Sequence, residues 1–255
     1  ARYDRTITEN TAANRGWDLS FRMVTQRGNL RYAREIAEPV RAEDIPFAHD
    51  RGGLVVVGSH VPLTTAQLEA LTAARPNTRT IELDVRALIG SERETHLETQ
   101  AHAVAEALAT GTVIVHTTRE LVTGADGDES LAIARRISSG VVELVRRVLA
   151  IAPPRFVIAK GGITSSDVAS EALEIRRATV LGPMLPGLVS LWQPETGPAV
   201  GIPYVVFAGN VGDADSLVTV VATLAGEQVG GLAPCHQLDL ELRQCGAGII
   251  NAKAL

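Results

Sequence analysis

Apolar residues along this chain follow two rhythms. Short unbroken runs alternate with longer stretches where apolar positions recur every three or four residues. Leu54 to Val57, Thr112 to His116 and Phe156 to Ala159 are runs of the first kind, and Thr80 to Asp84 adds a weaker one. Continuous β-branched runs mark strands covered on both faces, as in parallel sheets. Helical stretches lie between them. Thr64 to Ala74 carries Leu68 and Leu71, and Thr64 with Gln67 has the spacing of a capping box. Glu94 to Ala109 reads as a polar helix that Gly111 closes. From Asp128 to Ala150 the residues Ile133, Ile137, Val141, Leu144 and Val148 form one stripe, and Pro153 with Pro154 stops the helix.

Later segments read as strands over Ala178 to Leu181, Leu188 to Leu191 and Tyr204 to Phe207, then a helix from Ala214 to Leu224. The two ends lack this regularity. In residues 1–52, Leu19 to Thr25 suggests a short strand and Leu30 to Ala37 a short helix. Residues 227–255 show little pattern. The alternation predicts an α/β fold: three layers, a mostly parallel sheet, and helices on both faces in the Rossmann manner. That domain spans 53–226. Residues 1–52 read as a connector or the remnant of a preceding domain, in keeping with a start at Ala1 and not Met; 227–255 is an unassigned tail.

Composition narrows the class. Of 255 residues, 45% are hydrophobic and 21% charged, too apolar for a disordered chain. No run approaches the roughly 20 apolar residues that span a bilayer. A net charge of −5 gives no general attraction to nucleic acid or anionic lipid. Cys235 and Cys245 cannot make a disulfide framework. No signal-peptide pattern opens the chain, so a cytoplasmic location is expected. There are only two lysines, Lys160 and Lys253.

Three segments share one design, an apolar strand, then glycine and hydroxyl residues, then a helix. They run from Gly58 to Thr65, from Lys160 to Asp167, and from Ala208 to Asp213. In a parallel sheet such loops gather at the carboxyl ends of the strands. Glycine permits close backbone approach, and a helix N-terminus offers free N–H groups, so together they suit a phosphate. Gly161 and Gly162 give a tight turn, Thr164 and Ser165 can cap the helix or donate to phosphate, and Lys160 could neutralise one charge. The same residues also read as a plain strand-to-helix turn. Asp213 could cap its helix or hold Mg²⁺ through water. Gly182 to Gly187 is a double-proline turn, either an apolar shelf for a flat ring or a bend alone. His60, His116 and His236 lack metal-ligand spacing, and histidines at strand ends are mostly structural. There is no P-loop, no G-x-G-x-x-G and no nucleophile elbow.

Taken in order, Gly58 and Ser59 with Pro62, Thr64, Thr65 and Gln67, then Gly161 to Ser165, Gly182 to Gly187, and Phe207 to Asp213 resemble the four-carbon acid sugar kinase family. The resemblance covers about residues 53 to 226. It implies the C-terminal, ATP-binding domain of a two-domain kinase acting on erythronate-type or threonate-type acids at the terminal hydroxyl. It also implies Mg²⁺. By the match Ser59 contacts ATP, the Gly161 to Ser165 loop wraps its phosphates, and Gly209 with Asn210 approaches from the next strand. The family often has Asp where this chain has Ile163. Its N-terminal Asp-Asp motif is absent, so the sugar-acid site would lie on a missing domain and the piece alone would be inactive. The catalytic base is not identified, and a homo-oligomer is left open. Two other readings stand beside this one: a non-catalytic anion-binding or partner-binding α/β module, and a sugar-phosphate enzyme with an anion site at the same strand ends.

Overall fold

A computed structural model describes residues 39–119, 122–186 and 188–227, together with the backbone of two strands at 18–24 and 30–36. Those two strands, β1 (Asp18–Val24) and β2 (Leu30–Ile36), pair antiparallel in a sheet of their own. The expected strand from Leu19 is therefore present. The expected helix from Leu30 is a strand instead; its alternation of Leu30, Tyr32 and Arg34 with Arg31, Ala33 and Glu35 fits a period of two as well as a helix, and pairing with β1 decides.

The main sheet has seven strands in the order β4, β5, β3, β6, β9, β8, β7. They are β3 (Leu54–Val57), β4 (Arg79–Leu83), β5 (Val113–Thr117), β6 (Val157–Lys160), β7 (Ala178–Leu185), β8 (Leu188–Pro194) and β9 (Tyr204–Phe207). The first five in that order run parallel; β8 and β7 add antiparallel at one side. Every residue of β3 and β6 is buried, as their unbroken apolar runs require.

Helices cover both faces. α1 (Pro62–Ala74) and α6 (Ser216–Ala225) bury Leu68, Leu71, Leu217 and Val220 against one face. On the other lie α2 (Val85–Ile89), α3 (Arg93–Ala107), α4 (Gly127–Ile151) and α5 (Gly162–Asp167), which runs on into a π turn at Val168–Ala172. α4 turns Val141, Leu144, Val145 and Val148 inward. Burying each such side chain stabilises the fold by roughly 1.5–3 kcal/mol. The Asp126 carboxylate caps this helix, accepting from the Glu129 N–H at 2.8 Å. α2 had no periodic signal because five residues are too few to show one; Asp84 starts it by accepting from the Arg86 N–H. The three-layer, mostly parallel α/β architecture is the one expected.

The Gly182 to Gly187 reading needs correction. Gly182 to Leu185 belongs to β7, with a bulge between Val180 and Gly182, and Met184 and Leu185 are buried in the core. They offer no open shelf. Gly187 and the tail with Cys235, His236 and Cys245 lie outside the described residues.

Candidate functional site

β3, β6 and β9 are neighbours, with Val57, Lys160 and Phe207 in register at their carboxyl ends. The three glycine and hydroxyl loops therefore leave the sheet side by side. The helix after β3 covers one face and the helix after β6 the other. Adjacent parallel strands whose connections part to opposite faces open a crevice, where α/β proteins take ligands.

The loops touch one another through small residues. Gly161 has φ +126°, a conformation side-chain-bearing residues seldom adopt, and a Cβ there would lie 2.9 Å from Ser59 Cβ. A Cβ on Gly209 would lie 2.9 Å from Ser59 Oγ. Ser59, Gly161 and Gly209 thus form one junction. The first helical bond of α5 runs from the Ser165 N–H to the Gly161 carbonyl at 2.8 Å, so the N–H groups of Gly162, Ile163 and Thr164 have no acceptor within the helix. Gly162 is exposed, with nothing within 4 Å of where its Cβ would be. Asn210 is exposed beside Gly209.

Several predicted side chains have other work. Lys160 is fully buried; its Nζ donates to the Ala208 carbonyl at 2.7 Å and sits 3.8 Å above the Phe207 ring. Burial pushes its pKa down to about 8. It ties β6 to the Gly209 loop from beneath and does not present a charge to the crevice. Ser165 Oγ donates back to the Gly162 carbonyl at 3.1 Å, and the Ser165 carbonyl accepts from Tyr204 Oη at 2.6 Å. Thr164 is buried against Gly58 and Gly161. Burial, helped by Asp167, raises the Tyr204 pKa and keeps the phenol a donor. At Thr164 the side chain is buried and the backbone N–H is the group left for a ligand, whereas at Ser165 the N–H and the carbonyl are both bonded within the protein.

Thr64 and Gln67 make no capping box. α1 begins two residues earlier, at Pro62, because a proline at the first helical position needs no N–H partner. Thr64 Oγ1 donates to the Gly209 carbonyl at 2.9 Å, and Gln67 Nε2 to the carbonyls of Val211 and Asp213 at 3.1 and 2.5 Å. Both side chains hold the third loop against the first. The Asp213 carboxylate accepts from Ser216 Oγ at 2.7 Å through Oδ1. Among the described residues no group of three or more His, Cys, Asp or Glu could hold a metal ion. His60 donates to the Thr118 carbonyl at 2.9 Å, a structural contact.

One further cation stands at the junction. Arg119, two residues beyond β5, donates to the Ser59 carbonyl at 2.7 Å and to Thr65 Oγ1 at 2.5 Å. Burial lowers its pKa. It is a cation beside the Ser59 loop, where Lys160 was expected to supply one. Its only sequence signal was an arginine in a strand-end loop. An apolar cavity of about 250 Å³ flanks the junction, lined by Gly58, Val85, Ile137, Val141, Ile163 and Thr164 among others.

The comparisons agree with this geometry. Residues 54–217 match the family described as the nucleotide-binding C-terminal domain, and the chain belongs to it. The resemblance to the C-terminal domain of the four-carbon acid sugar kinases therefore stands. Over 172 residues the chain is 32% identical to a 3-oxo-isoapionate kinase of Paraburkholderia graminis, covering 62% of this chain and 36% of that one. The chain thus spans about a third of that relative's length. Two solved structures share the fold. A Bordetella bronchiseptica domain of unknown function, crystallised with citrate as a domain-swapped dimer, is 23% identical over 70% of this chain and 42% of its own, with a TM-score of 0.58. A Haemophilus influenzae protein is 20% identical over 71% and 42%, with a TM-score of 0.54. Residues 54–217 are thus a nucleotide-binding domain of this family. Among the described residues no helix is long and apolar enough to cross a membrane.

Proposed function

We propose that residues 53–226 are the ATP-binding domain of a kinase that phosphorylates a four-carbon sugar acid, of the erythronate or threonate type, at its terminal hydroxyl. Residues 1–52 would be a connector or the remnant of a preceding sugar-acid-binding domain, and 227–255 an unassigned tail. The observation that carries the reading is the meeting of Ser59, Gly161 and Gly209 at the carboxyl ends of three adjacent parallel strands. The likeness to a kinase supports phosphoryl transfer, and that relative's own substrate is 3-oxo-isoapionate.

ATP supplies the phosphoryl group. The chain's part is binding and orientation, which dominate catalysis of this transfer. The N–H groups of Gly162, Ile163 and Thr164 donate to phosphate oxygens at the positive end of α5. Gly209 and Asn210 close over the nucleotide from β9. Arg119 holds the Ser59 loop and adds positive potential beside it. The cavity beside Ile163 is large enough for a base. Mg²⁺ would arrive on the nucleotide, and Asp213, whose Oδ1 accepts from Ser216, would hold it through water.

Calorimetry with Mg-ATP tests the binding half, and saturable heat is the expected result. Absence of heat, with no thermal protection, contradicts it. The chain alone should not phosphorylate erythronate or threonate; turnover by this piece would overturn the division of labour. A Gly162→Trp variant that binds nucleotide as well as the parent would favour the module without nucleotide chemistry.

A further inference from the structure

The opposite edge of the sheet holds a second cavity, of about 430 Å³. It opens where β3, β4, β5 and β6 begin, so the length of a four-residue strand, about 13 Å, separates it from the glycine loops. Four arginines line it, Arg51, Arg75, Arg79 and Arg155, against two acids, Asp50 and Glu227. Arg75 is paired with Glu227. Among the described residues no ion pair holds Arg51, Arg79 or Arg155. Such a concentration of cations runs against the chain's net charge of −5.

Arg155 is the most telling of them. Its guanidinium lies 4.0 Å from the centroid of the Phe47 ring. Its Nε is buried and has no hydrogen-bond partner. Stacking on a ring occupies one face of a guanidinium, and with Nε closed off the Nη groups remain to meet oxygens. A buried donor without an acceptor costs about 1–3 kcal/mol, so a site that leaves one is answered by a ligand or by water. α1, α3 and α6 also end at this edge, and their carbonyl ends attract cations. That attraction accounts for Arg75, the residue directly after α1. It does not account for Arg51 and Arg155, which stand on loops leading into strands.

We propose that this cavity binds a small polyanion, a molecule carrying two or more carboxylate or phosphate groups, at a site separate from the glycine loops and independent of the nucleotide reading. Arg51, Arg79 and Arg155 would clamp its oxygens, and the volume suits a metabolite-sized molecule. The test is an amide NMR titration of the chain, with tricarballylate in one arm and inorganic pyrophosphate in the other. The expected result is saturable shifts at Gly52, Gly53, Gly111 and Thr112 in at least one arm, and the stronger arm tells carboxylate from phosphate. Arg79→Ser, at an exposed position, should weaken that binding about tenfold while keeping the native spectrum. Arg155→Met should weaken it further, with thermal unfolding as the check on its fold. Three results would each overturn the proposal. They are shifts confined to the loops of Ser59, Gly162 and Gly209, no saturable shift in either arm, and unchanged affinity in Arg79→Ser.

Discussion

Alanine at two adjacent glycines separates folding from binding. At Gly161 the backbone sits at φ +126° and ψ 142°, a conformation that costs a side-chain-bearing residue about 1–3 kcal/mol. The new Cβ also lies 2.9 Å from Ser59 Cβ and 3.1 Å from Thr164 Oγ1, and Thr164 is buried and cannot step aside freely. Together these put the loss for Gly161→Ala near 3 kcal/mol, or a fall in Tm of about 6–12 °C for a domain of this size. At Gly162 nothing lies within 4 Å of the added carbon, and the position opens a helix. Gly162→Ala should leave Tm unchanged or raise it slightly, since alanine favours a helix by up to about 1 kcal/mol over glycine. The same methyl stands over the free N–H groups where a phosphate must approach. Nucleotide affinity should therefore fall about tenfold or more in a protein that is fully folded. Differential scanning calorimetry reads the first quantity and titration with Mg-ADP the second. A Gly162→Ala variant that binds like the parent would refute the phosphate assignment, and a Gly161→Ala variant that melts like the parent would refute the strain argument.

Lys160 gives a pH test. Its pKa is lowered by burial from 10.5 to about 8, so between those values the folded chain has released a proton that the unfolded chain keeps. Stability from this group therefore rises with pH. Relative to Lys160→Met, the parent should gain about 2 kcal/mol between pH 7 and pH 9.5 in urea titrations, and a flat difference would contradict the burial. Gln67→Leu strips the carbonyls of Val211 and Asp213 of their donor and should destabilise the fold by about 1–3 kcal/mol, seen as a lower urea midpoint. Arg119→Ala should keep the fold and weaken nucleotide binding several-fold by releasing the Ser59 loop, read by calorimetry with Mg-ADP.

The main fold was legible because its strands are buried on both faces. Runs such as Leu54 to Val57 carry no competing helical reading, and the stripe along Gly127–Ile151 carries no competing strand reading. Leu30–Ile36 was misread because seven residues of mixed polarity satisfy either period, and pairing with a distant segment settles it. The loops of the site were legible as strand-to-helix turns. The roles of their side chains were not, since most of those depend on partners distant in the chain. Thr64 and Gln67 look like a local cap in the sequence, yet their partners are Gly209, Val211 and Asp213. Lys160 looked like a phosphate ligand because it is scarce and stands at a strand end. Phe207 and the Ala208 carbonyl, 47 and 48 positions on, hold it underneath instead. Arg119 escaped notice because nothing in its immediate sequence tells that Ser59 lies against it.

The loops of Ser59, Gly162 and Gly209 are proposed to bind a nucleotide together. Titrating the isotope-labelled chain with Mg-ADP and following backbone amides tests it most directly. Saturable shifts are expected at Ser59, Gly162, Ile163, Thr164, Gly209 and Asn210, all with one dissociation constant. Shifts confined to other parts of the chain, or none at saturating Mg-ADP, would contradict it.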